Sequence, residues 1–179
     1  MLKSIRTSLI AGLLLLSACT TTIAIREFNQ DKSPFPVLKG KSIALVIDQA
    51  SVPNDVTTQS ETQTFEFVGM ADRLQEALKS QIESSGAKME VVKAWPDKGF
   101  DLVLKPQLTI RSVYDFWTYG CLATYKLEIF GKDKDLRASA SGEAKRNFAF
   151  TGQSHDKCNQ ALSDLVKDVN EKALVRVSR

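Results

Sequence analysis

Residues 101–150 form one long block in which apolar and polar side chains alternate, and that block limits the fold more than any other part of the chain. In 101–114, Leu102, Leu104, Leu108 and Ile110 share one face, while Lys105, Gln107, Thr109 and Arg111 share the other. A period of two over this length is the mark of a strand in a sheet with one wet face. Pro106 lacks an N–H and predicts an edge or a bulge at its position. Residues 122–130 repeat the pattern, with Ala123, Tyr125, Leu127 and Ile129 set against Thr124, Lys126 and Glu128. The run Gly131-Lys132-Asp133-Lys134-Asp135 reads as a hairpin turn. On the return strand, 136–150, Leu136, Ala138, Ala140, Gly142 and Ala144 fall on one face, and their small size predicts close approach of a helix.

The elements around this block supply the helices. Ser42 to Asp48 reads as a buried strand, and the polar stretch 49–63 reads as a long loop. Phe67, Met70, Ala71, Leu74, Leu78 and Ile82 recur every three or four residues, predicting a helix over 64–85 that ends at Gly86. Residues 89–92 form a short strand, followed by a turn marked by Pro96, Asp97 and Gly99. A last helix is predicted over 156–175, with Cys158, Ala161, Leu162, Leu165, Val169 and Ala173 on its apolar side and Ser154 as N-cap. The predicted fold class is α+β: two helices packed on one face of a mixed, mostly antiparallel sheet of about four to five strands.

The start of the chain has a different character. Lys3 and Arg6 precede an apolar run, 9–16, which is too short to span a bilayer. The run leads into Leu16-Ser17-Ala18-Cys19, which resembles the lipobox of bacterial lipoproteins. That resemblance implies removal of residues 1–18, acylation of Cys19, and a stable anchor from two or three acyl chains. Thr20 stands where an aspartate favours inner-membrane retention, so the resemblance implies the outer membrane, with the protein facing the periplasm. Residues 19–40, with Pro34 and Pro36, are expected to form a tether spanning roughly 25 Å, although 22–28 has the alternative of an edge strand. Residues 41–179 then form a single domain. Without the leader the formal charge of +3 falls to about +1, and no basic block with interleaved aromatics is present, so a nucleic-acid partner is not expected.

Two cysteines remain, Cys121 and Cys158, and an even pair in an exported chain predicts a disulfide. A hairpin centred near 133 sets Cys121 opposite about residue 145, at the end where the chain turns into the last helix, which brings Cys158 near. His155 is the single histidine. With no nucleophile motif near it, neither a hydrolytic triad nor a metal site is expected. Gly69 and Gly86 belong to no phosphate loop, Asp133 and Asp135 read as a solvated turn, and no cofactor is expected. The segment Phe116-Trp117-Thr118-Tyr119-Gly120 puts three aromatics in a connection. It reads as a cover for one end of the core, or as a surface patch in which Phe116, Trp117 and Tyr119 contact a partner or lipid.

The order of anchor, strand, helix, strand, long strand, hairpin and helix is similar to that of the lipopolysaccharide-assembly lipoproteins of the rare lipoprotein B family. It also resembles the α/β modules of the curli-secretion lipoprotein and the TolB amino-terminal domain. The residues that carry the resemblance are Cys19, the strand 42–48 and the block 101–150. The anchor, the tether and the lack of a catalytic set together favour a non-enzymatic, membrane-anchored lipoprotein that binds an envelope protein or glycolipid. Two alternatives are a structural subunit of an envelope oligomer (secretion, flagellar or pilus accessory) and a cell-wall or lipid hydrolase dependent on His155.

Overall fold

A computed structural model describes residues 19–28, 34–61, 63–97, 99–115, 117–149 and 151–177. Among them the chain forms eight strands and two α-helices, in the order β1 (Cys19–Ala24), β2 (Ser42–Val46), β3 (Asp55–Ser60), β4 (Gln63–Val68), α1 (Met70–Ser84), β5 (Lys88–Val92), β6 (Leu102–Asp115), β7 (Thr118–Gly131), β8 (Leu136–Phe148) and α2 (Ser154–Val177). Five strands make a sheet in the order β5-β2-β6-β7-β8, and three make a second sheet, β1-β4-β3.

The long alternating block folds as its period requires. β6 and β7 pair along their whole length, from Leu102↔Gly131 to Asp115↔Thr118, and β8 returns antiparallel to β7. Leu104, Leu108, Tyr125, Leu127 and Ile129 are fully buried beneath the helices. Small residues on β8 do what their size predicts. A Cβ built on Gly142 would lie 2.9 Å from Leu165 Cδ1 and 3.2 Å from Val169 Cγ2, so α2 approaches β8 closely enough that a larger side chain would have to push these ends aside.

Pro106 lies in mid-sheet, but at a local edge. β2 pairs with β6 only over Leu102–Leu104. Leu108 donates its N–H to the Ser51 carbonyl at 2.9 Å, on the side away from β7. N–H directions alternate along a strand, so the donor missing at Pro106 also belongs to that side, just past the point where β2 stops pairing.

Several expectations need correction. The architecture is two sheets of three and five strands, not one of four to five. Pairing is mixed rather than mostly antiparallel: β5–β2–β6 and β1–β4 are parallel, while β3–β4 and β6–β7–β8 are antiparallel. Both helices do pack into one core with a single face of the larger sheet. Ile43, Leu45, Leu74, Leu78, Ile82, Leu162 and Val169 all belong to it.

The polar stretch 49–63 contains the strand β3 and the start of β4, and 64–68 continues β4 rather than forming a first helical turn. Phe65 and Phe67, both fully buried, alternate with Thr64, Glu66 and Val68, so this segment carries period two. Gly69, at φ 87°, then turns the chain into α1. The helix entrance is capped from a distance: the Asn54 carbonyl accepts the N–H groups of Gly69 and Met70, each at 2.9 Å.

Residues 19–24 are not a free tether but an edge strand, the alternative raised for 22–28, although the strand starts earlier. β1 begins at Cys19 and pairs parallel to β4 through all six of its residues. Ile23, Ile25, Phe28 and Leu38 are buried in the main core. The apolar residues after the triple threonine add a third strand, whose burial outweighs the entropy of a coil. Residues 1–18, the expected signal segment, lie outside the described residues.

Candidate functional site

The paired cysteines and the aromatic residues singled out in the sequence gather toward one end of the larger sheet. Cys121 lies on β7 opposite Arg146 of β8, one position from the expected partner. It is bonded to Cys158 in the first turns of α2, with Cα atoms 5.8 Å apart. Both cysteines are buried, so the bond pins the start of α2 onto the larger sheet. The next residue, Asn159, ties α2 to the smaller sheet. Its Oδ1 accepts the Arg26 N–H at 2.7 Å, and its Nδ2 donates to the Ala24 carbonyl at 3.1 Å. The beginning of α2 therefore locks both sheets, and β1 with them. Asn159 gave no motif or periodicity from which its role was readable.

Trp117 lies at the β6–β7 turn, whereas Tyr119, expected in a connection, is in β7 and pairs with Tyr114. Tyr119 covers the core end: its ring is 5.8 Å from Phe65 and 5.0 Å from Tyr114. Phe65 in turn meets Phe148 edge-on at 5.9 Å. Trp117 is 88 % exposed at the turn itself. Tyr114, 40 % exposed, continues the aromatic surface. Phe116 lies outside the described residues.

His155 lies in the first turn of α2. Its Nδ1 is 3.4 Å from Asn159 Nδ2 and 3.9 Å from Asp156 Oδ1. The Asp156 carboxylate is in turn 2.9 Å from Arg26, an exposed pair linking the segment after β1 to α2. Among the described residues no group of three or more His, Cys, Asp or Glu side chains is placed to hold a metal. No helix among them is long and apolar enough to cross a membrane.

Two carboxylates have structural work. Asp101 Oδ2 accepts the Ser42 N–H at 2.7 Å and the Ser42 hydroxyl at 2.8 Å, joining the starts of β2 and β6. Those bonds hold its carboxyl below the usual aspartate range. Asp48 Oδ1 accepts the N–H groups of Ala50 and Ser51 at 2.9 and 2.8 Å, and its carboxyl is lowered chiefly by the Ser51 bond. Tyr125 is fully buried and donates to Asn170 Oδ1 at 2.8 Å; burial pushes its phenol well above the usual value.

The face of the larger sheet away from the helices is open. It carries Thr109 and Thr124, hydrogen-bonded at 2.7 Å, with Gln107, Lys126 and Glu143 around a shallow cleft. Toward the far end a small apolar cluster of Ala44, Val46 and Val103 packs with Trp95 and Phe130, whose rings meet edge-on at 5.2 Å.

No family model matches the sequence, and no curated protein matches it. Among solved structures, the chain is similar to protein XCC0632 of Xanthomonas campestris, described as DUF330, with a TM-score of 0.61 at 13 % identity over 89 % of this chain and 97 % of that one. The two share a fold. The chain also matches a minor lipoprotein from Acinetobacter baumannii at a TM-score of 0.44 and 12 % identity, over 77 % and 92 % of the two chains. The hypothetical protein CT253 of Chlamydia trachomatis matches at 0.47 and 11 %, over 78 % and 98 %.

Proposed function

We propose that this protein is a lipid-anchored, non-enzymatic lipoprotein of the bacterial envelope that binds or supports an assembly or transport partner. The observation that carries this reading is the lipobox ending at Cys19, a residue that β1 pairs with Gln63 of β4. Acyl chains on Cys19 would hold the domain at the membrane. The outer membrane, with the domain in the periplasm, is the placement that Thr20 favours.

The partner is an envelope protein or glycolipid, in keeping with an order of elements similar to that of lipopolysaccharide-assembly lipoproteins. Its supporting surface is the uncovered polar face of the larger sheet around Thr109 and Thr124. Both helices lie on the other side, so a partner reaches this face without displacing any element.

Two measurements test the reading. Mass spectrometry of the mature protein should find an acylated amino-terminal Cys19, and Cys19→Ser should release the protein from membranes. In-cell photo-crosslinking from positions 109 and 124 should give one dominant envelope adduct. An unmodified mature Cys19 would overturn the anchor. Self-adducts alone would replace the accessory role with that of a structural subunit.

A further inference from the structure

The register of the two sheets sets the anchor point and the exposed aromatic turn at the same end of the molecule. Thr21 pairs with Phe65 on β4, and Phe65 pairs with Thr58 on β3. The Thr58 hydroxyl donates to the Ser112 hydroxyl at 2.8 Å and accepts the Ser112 N–H at 3.0 Å, carrying the row onto β6. Phe65 closes it against Tyr119 of β7.

The strand directions then decide which way each end points. β3 follows β6 in the same sense, since Ser51 meets Leu108 and Thr58 meets Ser112. β4 runs against β3, and β1 runs with β4. From this shared row, stepping from Thr21 back to Cys19 goes the same way as stepping from Ser112 up to the β6–β7 turn. Three strand spacings separate β1 from β6, so Cys19 lies roughly 15–20 Å from the turn bearing Trp117.

We propose that the β6–β7 turn is a second membrane contact, with Trp117 seated in the interface of the leaflet that holds the acyl chains of Cys19. The occupant of this patch is the lipid surface itself. Tryptophan and tyrosine favour the headgroup level of a bilayer, where one part of the ring is apolar and another wet. Trp117 is 88 % exposed and Tyr114 40 %, on a turn that faces the same way as the anchor. The Asp115 carboxylate beside them is countered by Lys145 at 3.7 Å. Because β1 starts at Cys19 itself, no slack separates the acyl chains from the folded domain, and a turn at this height meets the surface. Two contacts fix a tilt that one anchor leaves free. They point the opposite end of the molecule, with Trp95 and Phe130, into the aqueous space.

This inference rests on acylation of Cys19, and the two tryptophans allow each to be tested apart. Trp95 packs on Phe130 at the other end of β7, roughly 40 Å from the turn, and serves as the internal control. The acylated full-length protein, purified from membranes as Trp95→Phe or Trp117→Phe, is reconstituted into vesicles of phosphatidylglycerol and a phosphatidylcholine brominated near the top of one acyl chain. Mass of the amino terminus and flotation with the vesicles report the anchor. Emission reports the turn.

The expected result is a blue shift and loss of emission for Trp117, with Trp95 unchanged. An acylated protein that floats while Trp117 emits as in water overturns the membrane contact and leaves the anchor standing. Equal quenching of both tryptophans overturns the fixed tilt. A protein that is not acylated removes the premise, and the inference falls with it. Trp117→Ser gives a second reading: with its side chain in solvent it leaves the fold intact, and it should return the tilt to that of a single anchor, seen as partial quenching of Trp95.

Discussion

Removing the Cys121–Cys158 bond should destabilise this domain by an amount that its place in the chain sets. The bond joins residues 37 apart in sequence. Closing a loop of that size in the unfolded chain corresponds to about 4 kcal/mol at room temperature in the chain-entropy description. Both cysteines are buried in the main core, so replacing them with alanine adds a packing loss of roughly 1 kcal/mol. The two effects separate experimentally. Reduced and oxidised protein differ by the cross-link alone, while Cys121→Ala/Cys158→Ala also loses the sulfur contacts.

The assay is urea unfolding of a Cys19→Ser background, which keeps the third cysteine from exchanging. Reduction should lower stability by about 3–4 kcal/mol, and for a domain of this size that corresponds to a melting point roughly 8–15 °C lower. The slope of stability against urea should rise on reduction, because the freed chain exposes more surface when unfolded. The loss should begin locally. Cys158 precedes Asn159, which holds Ala24 and Arg26, so hydrogen exchange should accelerate first at the start of α2 and along β1. A difference below about 1 kcal/mol between oxidised and reduced protein would refute the reasoning, because it would mean that the unfolded chain gains almost no freedom from losing the link. Faster exchange spread evenly over the sheet would refute the assignment of α2 and β1 as the region the bond secures.

Gly142→Leu should cost about 1–3 kcal/mol in denaturant unfolding, because α2 leaves less than van der Waals room above β8; Gly142→Ala should cost less, since the neighbouring atoms are the ends of mobile side chains. Tyr125→Phe should cost about 1–3 kcal/mol by the same measurement, since Asn170 Oδ1 loses a buried donor while the ring still fills its space. Asp48 and Asp101 have carboxyls lowered on folding, so their contribution is fully present above the unfolded value near 3.8 and is lost as pH falls through the folded value. Acid titration of the urea midpoint should therefore show a falling limb below about pH 5, and Asp48→Asn/Asp101→Asn should flatten it; an unchanged limb in that variant would refute the assignment.

Much of the larger sheet was legible because its information is local. Period two across 101–150 depends only on successive side chains, and it specified β6, β7, β8 and the turn between the last two. The stripe of Ala138, Ala140 and Gly142 announced a close helix, and α2 occupies that position. Two cysteines flanking a hairpin of known length were enough to place the bond within one residue of its partner strand position. The smaller sheet was hidden for a related reason. β3 is polar, with Thr57, Thr58 and Gln59 where an apolar face was sought, and Phe67 fits a helical stripe as well as a strand. Only Gly69, by its positive φ, decides where the strand stops.

The sequence by itself determined the lipobox, the alternating strands and the amphipathic helices, since each is written in neighbouring residues. Tertiary structure alone decided that Cys19 opens a strand instead of a tether, and that its end of β1 faces the same way as Trp117. Those facts follow from pairing between segments that stand far apart in the chain. A strand with few apolar residues, such as β1 or β3, becomes stable only when β4 satisfies its backbone and brings its buried aromatics, Phe65 and Phe67, into the core.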